Sequence, residues 1–335
     1  MTPRERLYAR MQGKPVDKIP NMNIAMGLVA KAASVTYREY AQDYRKLVDG
    51  NLICAERFGF DSVSVISDPM REASAFGARL VFPEEGVPYC DPPLLADGLD
   101  LKRIRIADPL ESPRTLDRIK GVELLRQKVR SDYPVIGWVE GVLAETADLR
   151  GVNALMYDLI DDEATLLREI MDIVFSQQCR FATEQIKAGA DIIGIGDAAA
   201  SLVGPDIYNE FVWPVEKKLI DAIHTMGAKT RLHICGNTTA ILAPMGKLGC
   251  HIVDLDYPVN IAQARTVMGP NQILLGNLDP VRIVRNGTPE TIRAALAECH
   301  RQAGNHYIIG AGCEIPRDTP PANVLAFADY ALPPA

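Results

Sequence analysis

The chain has 335 residues, 47% of them hydrophobic, and 36 basic against 43 acidic side chains give a formal net charge of −7. That balance excludes nucleic acid as a principal partner and offers no basic tract to a membrane surface. No run approaches the roughly 18 apolar residues of a membrane span and the charged start MTPRERLYARM has no apolar stretch behind it, so a cytoplasmic protein is expected, its scattered cysteines free to hold metal rather than forming a disulfide framework.

The first predicted element is an amphipathic helix over 2–12, capped by Thr2 with Pro3 at its first position. A short strand follows over 19–24, then a helix over 36–58 that stops at Gly59, then a β-branched strand over 61–66. Residues 68–112 hold several Pro and Gly and read as an excursion, a hairpin or cap over one end of the fold. From residue 114 the rhythm is regular. A helix over 114–130 precedes a strand over 135–140, and helices over 145–159 and 163–188 precede a strand over 191–197. A helix over 205–226 leads to a strand over 229–235, one over 238–247 to a strand over 251–256, and one over 260–267 to a strand over 273–279. A helix over 288–303, a strand over 306–312 and a closing helix over 320–332 complete the chain.

Strands alternating with helices imply a parallel sheet. Eight such strands in a chain of this length predict an α/β fold of the (β/α)8 TIM-barrel type, one domain over 1–335 with 68–112 as its excursion. No strand leads into a G-x-G-x-x-G helix start, which argues against a dinucleotide site.

Chemistry in such barrels is built at the C-terminal strand ends. Those ends carry Asn23, Asp68, Glu140, Asp197, His233 with Cys235, Asp254 and Asp256, Asn277 with Asp279, and Cys313 with Glu314. Asp68 and Asp279 each precede a proline and read as helix caps. Asp254 and Asp256 fit a cap or a cleft equally well. Histidine and cysteine are not preferred caps. In His233-Ile234-Cys235 the period of a strand sends the imidazole and the thiol to the same side, and both are zinc ligands. Cys313, in the Gly-rich loop after the last strand, is the candidate third ligand. Three protein ligands leave a fourth position open, as in a catalytic zinc site. Cys54, Cys90, Cys179, Cys250 and Cys299, with His224, His251, His300 and His306, fall on helices, in the excursion or at the wrong strand end and are expected to be structural.

Four segments carry a resemblance to a known family. GPDIYNEFVWPVEKK over 204–218, HICGNT over 233–238, GNLDP over 276–280 and DTPPANV over 318–324 resemble the uroporphyrinogen decarboxylase superfamily, in order and most clearly through 189–327. The decarboxylases of that superfamily carry an arginine-rich N-terminal segment. Here the equivalent NMNIAMGLVA over 21–30 has no arginine, which argues against porphyrinogen decarboxylation. The other branch comprises corrinoid-dependent methyltransferases with a zinc motif H-x-C…C, matched by His233, Cys235 and Cys313. The resemblance therefore implies a zinc methyltransferase. The chain has no D-x-H-x-x-G cobalamin signature, so the corrinoid is expected on a partner protein.

The expected reaction moves a methyl group between a small methylated compound and the cobalt of that corrinoid protein, with Zn2+ as the metal. O-demethylation of a methoxy compound is favoured. Transfer from methylcorrinoid to a thiol of the coenzyme M kind is the alternative, and a metal-free lyase acting on a tetrapyrrole is the second. Glu140, Asp197 and Asn277 are the candidate catalytic residues, Glu140 or Asp197 completing the coordination or relaying a proton, with Glu314 ranked below them. The excursion and the loop over 141–160, with Met156 and Tyr157, are the expected contact or lid regions.

Overall fold

The computed structural model describes residues 1–160 and 164–332. Its strands are β1 (Val63–Ser64), β2 (Leu80–Val81), β3 (Tyr89–Cys90), β4 (Val135–Glu140), β5 (Ile192–Gly196), β6 (Lys229–Ile234), β7 (Ile252–Leu255), β8 (Ile273–Leu275) and β9 (Tyr307–Ile308). Seven of them form one sheet in the order β1-β4-β5-β6-β7-β8-β9, every neighbouring pair parallel. β2 and β3 pair antiparallel as the predicted hairpin of the excursion.

The strand expected over 19–24 shrinks to a short seam. Asn21 bridges Ile309 in parallel, and Met22 N donates to Ile309 O at 3.0 Å. On the other side Asp61 N donates to Asn21 O at 2.8 Å. Pro20 has no N–H to give, which limits the ladder that this segment can build. The seam nevertheless fills the eighth position between β9 and the approach to β1, so the sheet curls into the expected barrel.

Two predicted helices are split. The one over 36–58 breaks at Asp43, whose extended backbone (φ −132°, ψ 107°) separates Tyr37–Gln42 from Tyr44–Phe58 while its carboxylate caps the second piece. The one over 145–159 starts earlier, at Val142, and divides at Gly151 (φ +89°) into Val142–Arg150 and Val152–Asp158. The helix predicted to start at 163 is Ala164–Lys187; residue 163 lies outside the described residues.

Strand parity decides what faces the barrel axis. Ile136 and Trp138 of β4, Ile192 of β5, Ile252 of β7, Ile273 and Leu275 of β8 and Ile308 of β9 form one buried cluster inside the barrel. Their neighbours Val135, Val139, Ile193, Ile195, Val253 and Leu274 belong to the larger layer under the helices. Leu7, from helix Pro3–Met11, also joins the inner cluster, and Arg6 beside it pairs with buried Asp61 at 2.6 Å. That helix therefore closes the N-terminal end, and Thr2 caps it by accepting from Glu5 N, as expected.

Candidate metal centre and active site

β6 delivers two ligands by parity. With Leu232 and Ile234 packed outward, Arg231, His233 and Cys235 face the axis. Cys235 lies just past the last residue of β6, and Gly236 turns the chain with φ +88°. Asp256 fixes that turn: its Oδ2 accepts from Gly236 N and its Oδ1 from Tyr257 N, both at 2.6 Å.

The third candidate arrives from the loop after β9. Ile315 N donates to Ile24 O at 2.8 Å, and Ala311 N donates to Asn23 Oδ1 at 2.9 Å. Gly312 makes a close approach there. A Cβ at this position would meet Tyr257 N at 2.3 Å, so only glycine lets the loop press against the chain beside Asp256.

The outcome is a compact triad. The ligand atoms of His233, Cys235 and Cys313 lie within 4.8 Å of one another. Cys235 Sγ is 3.7 Å from Cys313 Sγ and 3.2 Å from His233 Nε2. Zn–S bonds of about 2.3 Å at a tetrahedral angle put two sulfurs about 3.8 Å apart, and a sulfur and a nitrogen about 3.6 Å apart. The donor set and its spacing thus fit a tetrahedral divalent ion.

The imidazole is held from behind. His233 Nδ1 lies 3.3 Å from both the carboxylate and the carbonyl oxygen of Asp254, and Arg231 Nη2 donates to that carboxylate at 2.6 Å. A proton on Nδ1 leaves Nε2 toward the sulfurs, as in carboxylate–histidine–metal arrangements. Burial opposes charge on His233, yet Asp254 and then Cys235 hold its pKa well above the ordinary value. The Cys235–Cys313 hydrogen bond drops Cys313 to about 4 and, together with burial, raises Cys235. These groups hold between them protons that a divalent ion displaces on binding.

A cavity of about 170 Å³ opens over the triad, walled by Ile24, Met26, Ile66 and Trp138 and by the carboxylates of Glu140 and Glu314. Glu140 follows Ile136 and Trp138 in parity and so faces in. Its Oε1 accepts from Arg71 Nη2 at 2.8 Å, and burial raises its carboxyl to about 8 despite that partner. Glu314, ranked low from sequence, lines the cavity too. It accepts from Gly27 N at 2.7 Å, and burial, offset in part by that bond, lifts it to about 7.

Two candidates stand elsewhere. Asp197 has the outward parity of Ile193 and Ile195; its Oδ1 accepts from Ala144 N at 2.8 Å, holding the start of helix Val142–Arg150. It does not line the cavity, and burial raises it to about 7. Asn277 spends its amide on loop carbonyls, donating to Asp256 O at 3.0 Å and Val259 O at 2.7 Å. It braces the segment that carries Asp256. Asp279 caps as expected, accepting from Val281 N and Arg282 N. Asp68 caps Met70 N and also meets Arg71 and Arg114, residues of the excursion and of helix Pro113–Val129. Arg71 and Asp254 are the residues that sequence reasoning left unassigned. Only the register between β6 and β7, which pairs His233 with Asp254, reveals the latter.

The chain belongs to the uroporphyrinogen decarboxylase family: the family model described as Uroporphyrinogen decarboxylase (URO-D) matches residues 2–332. Within that family it is an enzyme of the corrinoid-dependent methyltransferase kind. It is 32% identical over 339 residues to the methylcobamide:CoM methyltransferase MtbA of Methanosarcina mazei, covering 98% of this chain and 97% of that one. It is 29% identical to MtbA of Methanosarcina acetivorans, with the same coverage, and 27% identical to the uroporphyrinogen decarboxylase of Geobacter metallireducens, covering 93% and 94%. A solved methyltransferase from Methanosarcina mazei superposes with a TM-score of 0.90 over 99% of this chain and 98% of that one, at 24% identity, which establishes the barrel fold. Among the described residues no helix is long and apolar enough to cross a membrane.

Proposed function

We propose that this enzyme transfers a methyl group from the cobalt of a corrinoid, carried by a partner protein, to the sulfur of a small thiol, at a zinc ion held by His233, Cys235 and Cys313. The observation that carries the reading is the triad itself: two sulfurs 3.7 Å apart with an imidazole nitrogen beside them, below an apolar cavity. The O-demethylation favoured from sequence draws no support from the relatives, which are named for a thiol acceptor, CoM. The thiol direction is therefore the preferred one.

When bound, the ion would lower the pKa of a coordinated thiol, ordinarily near 8.5, so that it reacts as thiolate. The residues do the rest. Asp254 keeps the His233 nitrogen aimed, and Asp256 keeps the Cys235 turn closed. Glu140, facing the cavity with its carboxyl raised to about 8, accepts the proton that the thiol gives up once the pH is high enough to ionise it. Ile24, Met26 and Trp138 keep water from the reacting sulfur. The new S–C bond forms as the Co–C bond breaks, and cobalt keeps the electron pair. Helix Val152–Asp158, with Tyr157 71% exposed on it, offers a surface to the corrinoid protein.

The test is metal content and transfer together. Wild-type protein should hold about one zinc per chain and demethylate methylcobalamin when a thiol is present, followed by absorbance. His233→Ala and Cys235→Ser should each lose the metal and at least 100-fold in rate. Full activity in metal-free protein would sink the reading.

A further inference from the structure

Ala25 precedes helix Met26–Ala32 and gives it no side-chain cap. The first N–H groups of a helix have no partner inside it. One of them is met from 287 residues away: Gly27 N donates to Glu314 Oε1 at 2.7 Å. The carboxylate stands in for the oxygen of an N-cap residue, at the helix end that favours negative charge. The approach is close. A Cβ on Gly27 would lie 3.2 Å from Arg317 Cβ and 3.4 Å from Glu314 Oε1.

That bond is one of three that bracket Cys313. Ala311 N donates to Asn23 Oδ1 at 2.9 Å, and Ile315 N donates to Ile24 O at 2.8 Å. Residues 23–27 are thus fastened to 311–315 on both sides of the third candidate ligand. The first stretch supplies two cavity walls, Ile24 and Met26, and the second supplies Cys313 and Glu314. Met26 is also the first residue of the helix that Glu314 caps. The back of that helix rests on helix Tyr44–Phe58, so tightly that a Cβ on Gly50 would meet Val29 Cγ1 at 2.7 Å. Packing fixes the back, and hydrogen bonds to the Cys313 loop hold the end that faces the cavity. An ion that binds only when Cys313 is in place stabilises whatever holds it there, and the dependence runs both ways.

We propose that Glu314 is a positioning residue: it caps helix Met26–Ala32, holds Ile24 and Met26 as walls of the acceptor cavity, and ties their placement to the ion at Cys313, so that metal binding and closure of the wall favour each other. The coupling to the ion rests on the zinc reading above; the cap does not.

Hydrogen exchange by mass spectrometry, with zinc content measured on the same samples, tests both halves. In the wild-type protein, zinc should slow exchange over residues 24–32. In metal-free protein, Glu314→Ala should speed exchange there about fivefold, the size of a lost cap. Glu314→Gln should stay near wild type, because its amide oxygen still accepts from Gly27 N. Helix Pro289–Ala303 should exchange alike in all three. If zinc binds the wild-type protein and leaves residues 24–32 unchanged, the coupling fails and the zinc reading stands; this comparison needs no variant. If zinc does not bind, the zinc reading and the coupling fail together, and the metal-free contrast between Ala and Gln still decides the cap. Equal opening in Ala and Gln, or a rise in Pro289–Ala303 as large as that in 24–32, overturns the positioning role.

Discussion

With zinc in the proposed site, Asp254 would set the metal affinity without touching the metal. It holds the His233 ring at Nδ1 and is itself held by Arg231. Removal of such a supporting carboxylate weakens binding roughly 10–100-fold. Asp254→Asn should fall in that range, read by competition with a chelator of known affinity, and retain the fold; unchanged affinity would show that the ring needs no anchor. The pair His233 and Cys235 was legible because strand parity puts both on one side; Cys313 was legible only from its place after the last strand and from the family resemblance. The same parity, applied to β5, would have turned Asp197 away, since it follows Ile193 and Ile195. Position at a strand end says only that a residue is near the mouth. Asn277 was harder: its amide serves Asp256 O and Val259 O, and loop carbonyls in need of a donor leave no mark on sequence.

At the scale of elements, the site depends on loops pressed together more than on regular ladders. The loop bearing Cys313 passes so close to Tyr257 that a methyl group at Gly312 has nowhere to go. Gly312→Ala should cost about 1–3 kcal/mol, as overpacking does, and weaken the metal site more than its distance from the ligand atoms suggests, because Cys313 is the next residue. Denaturant unfolding and metal titration on the same preparation would check both. The barrel's alternation of strand and helix was readable from hydrophobic period. The breaks at Asp43 and Gly151 were not, since a helical pattern continues across both and only the local backbone departs from it. The strand over 19–24 was overcounted because Pro20 and Asn21 pair through isolated bonds instead of a ladder.

For the whole molecule, the carboxylates packed behind the mouth make stability depend on pH. Glu145 is fully buried, and burial and then Glu72, Asp148 and Glu140 hold its carboxyl well above the ordinary value. Unfolded glutamate loses its proton near 4.3. Above that pH the folded chain binds the extra proton, so stability present at low pH is lost as pH rises toward the folded value. Each such group contributes a slope of roughly 1.4 kcal/mol per pH unit inside its window. The wild-type melting temperature should therefore fall relative to that of Glu145→Gln between pH 6 and 8.5, read by parallel thermal scans. Parallel curves would mean that Glu145 is already ionised in the native state.

The seam formed by residues 20–24 has a consequence for biogenesis. It joins residues made early in synthesis to the loop that brings in residue 313, so the third proposed ligand has its seat waiting before it is itself made. Capture of a metal by all three proposed ligands would then wait until that loop has been made and has docked on the seam.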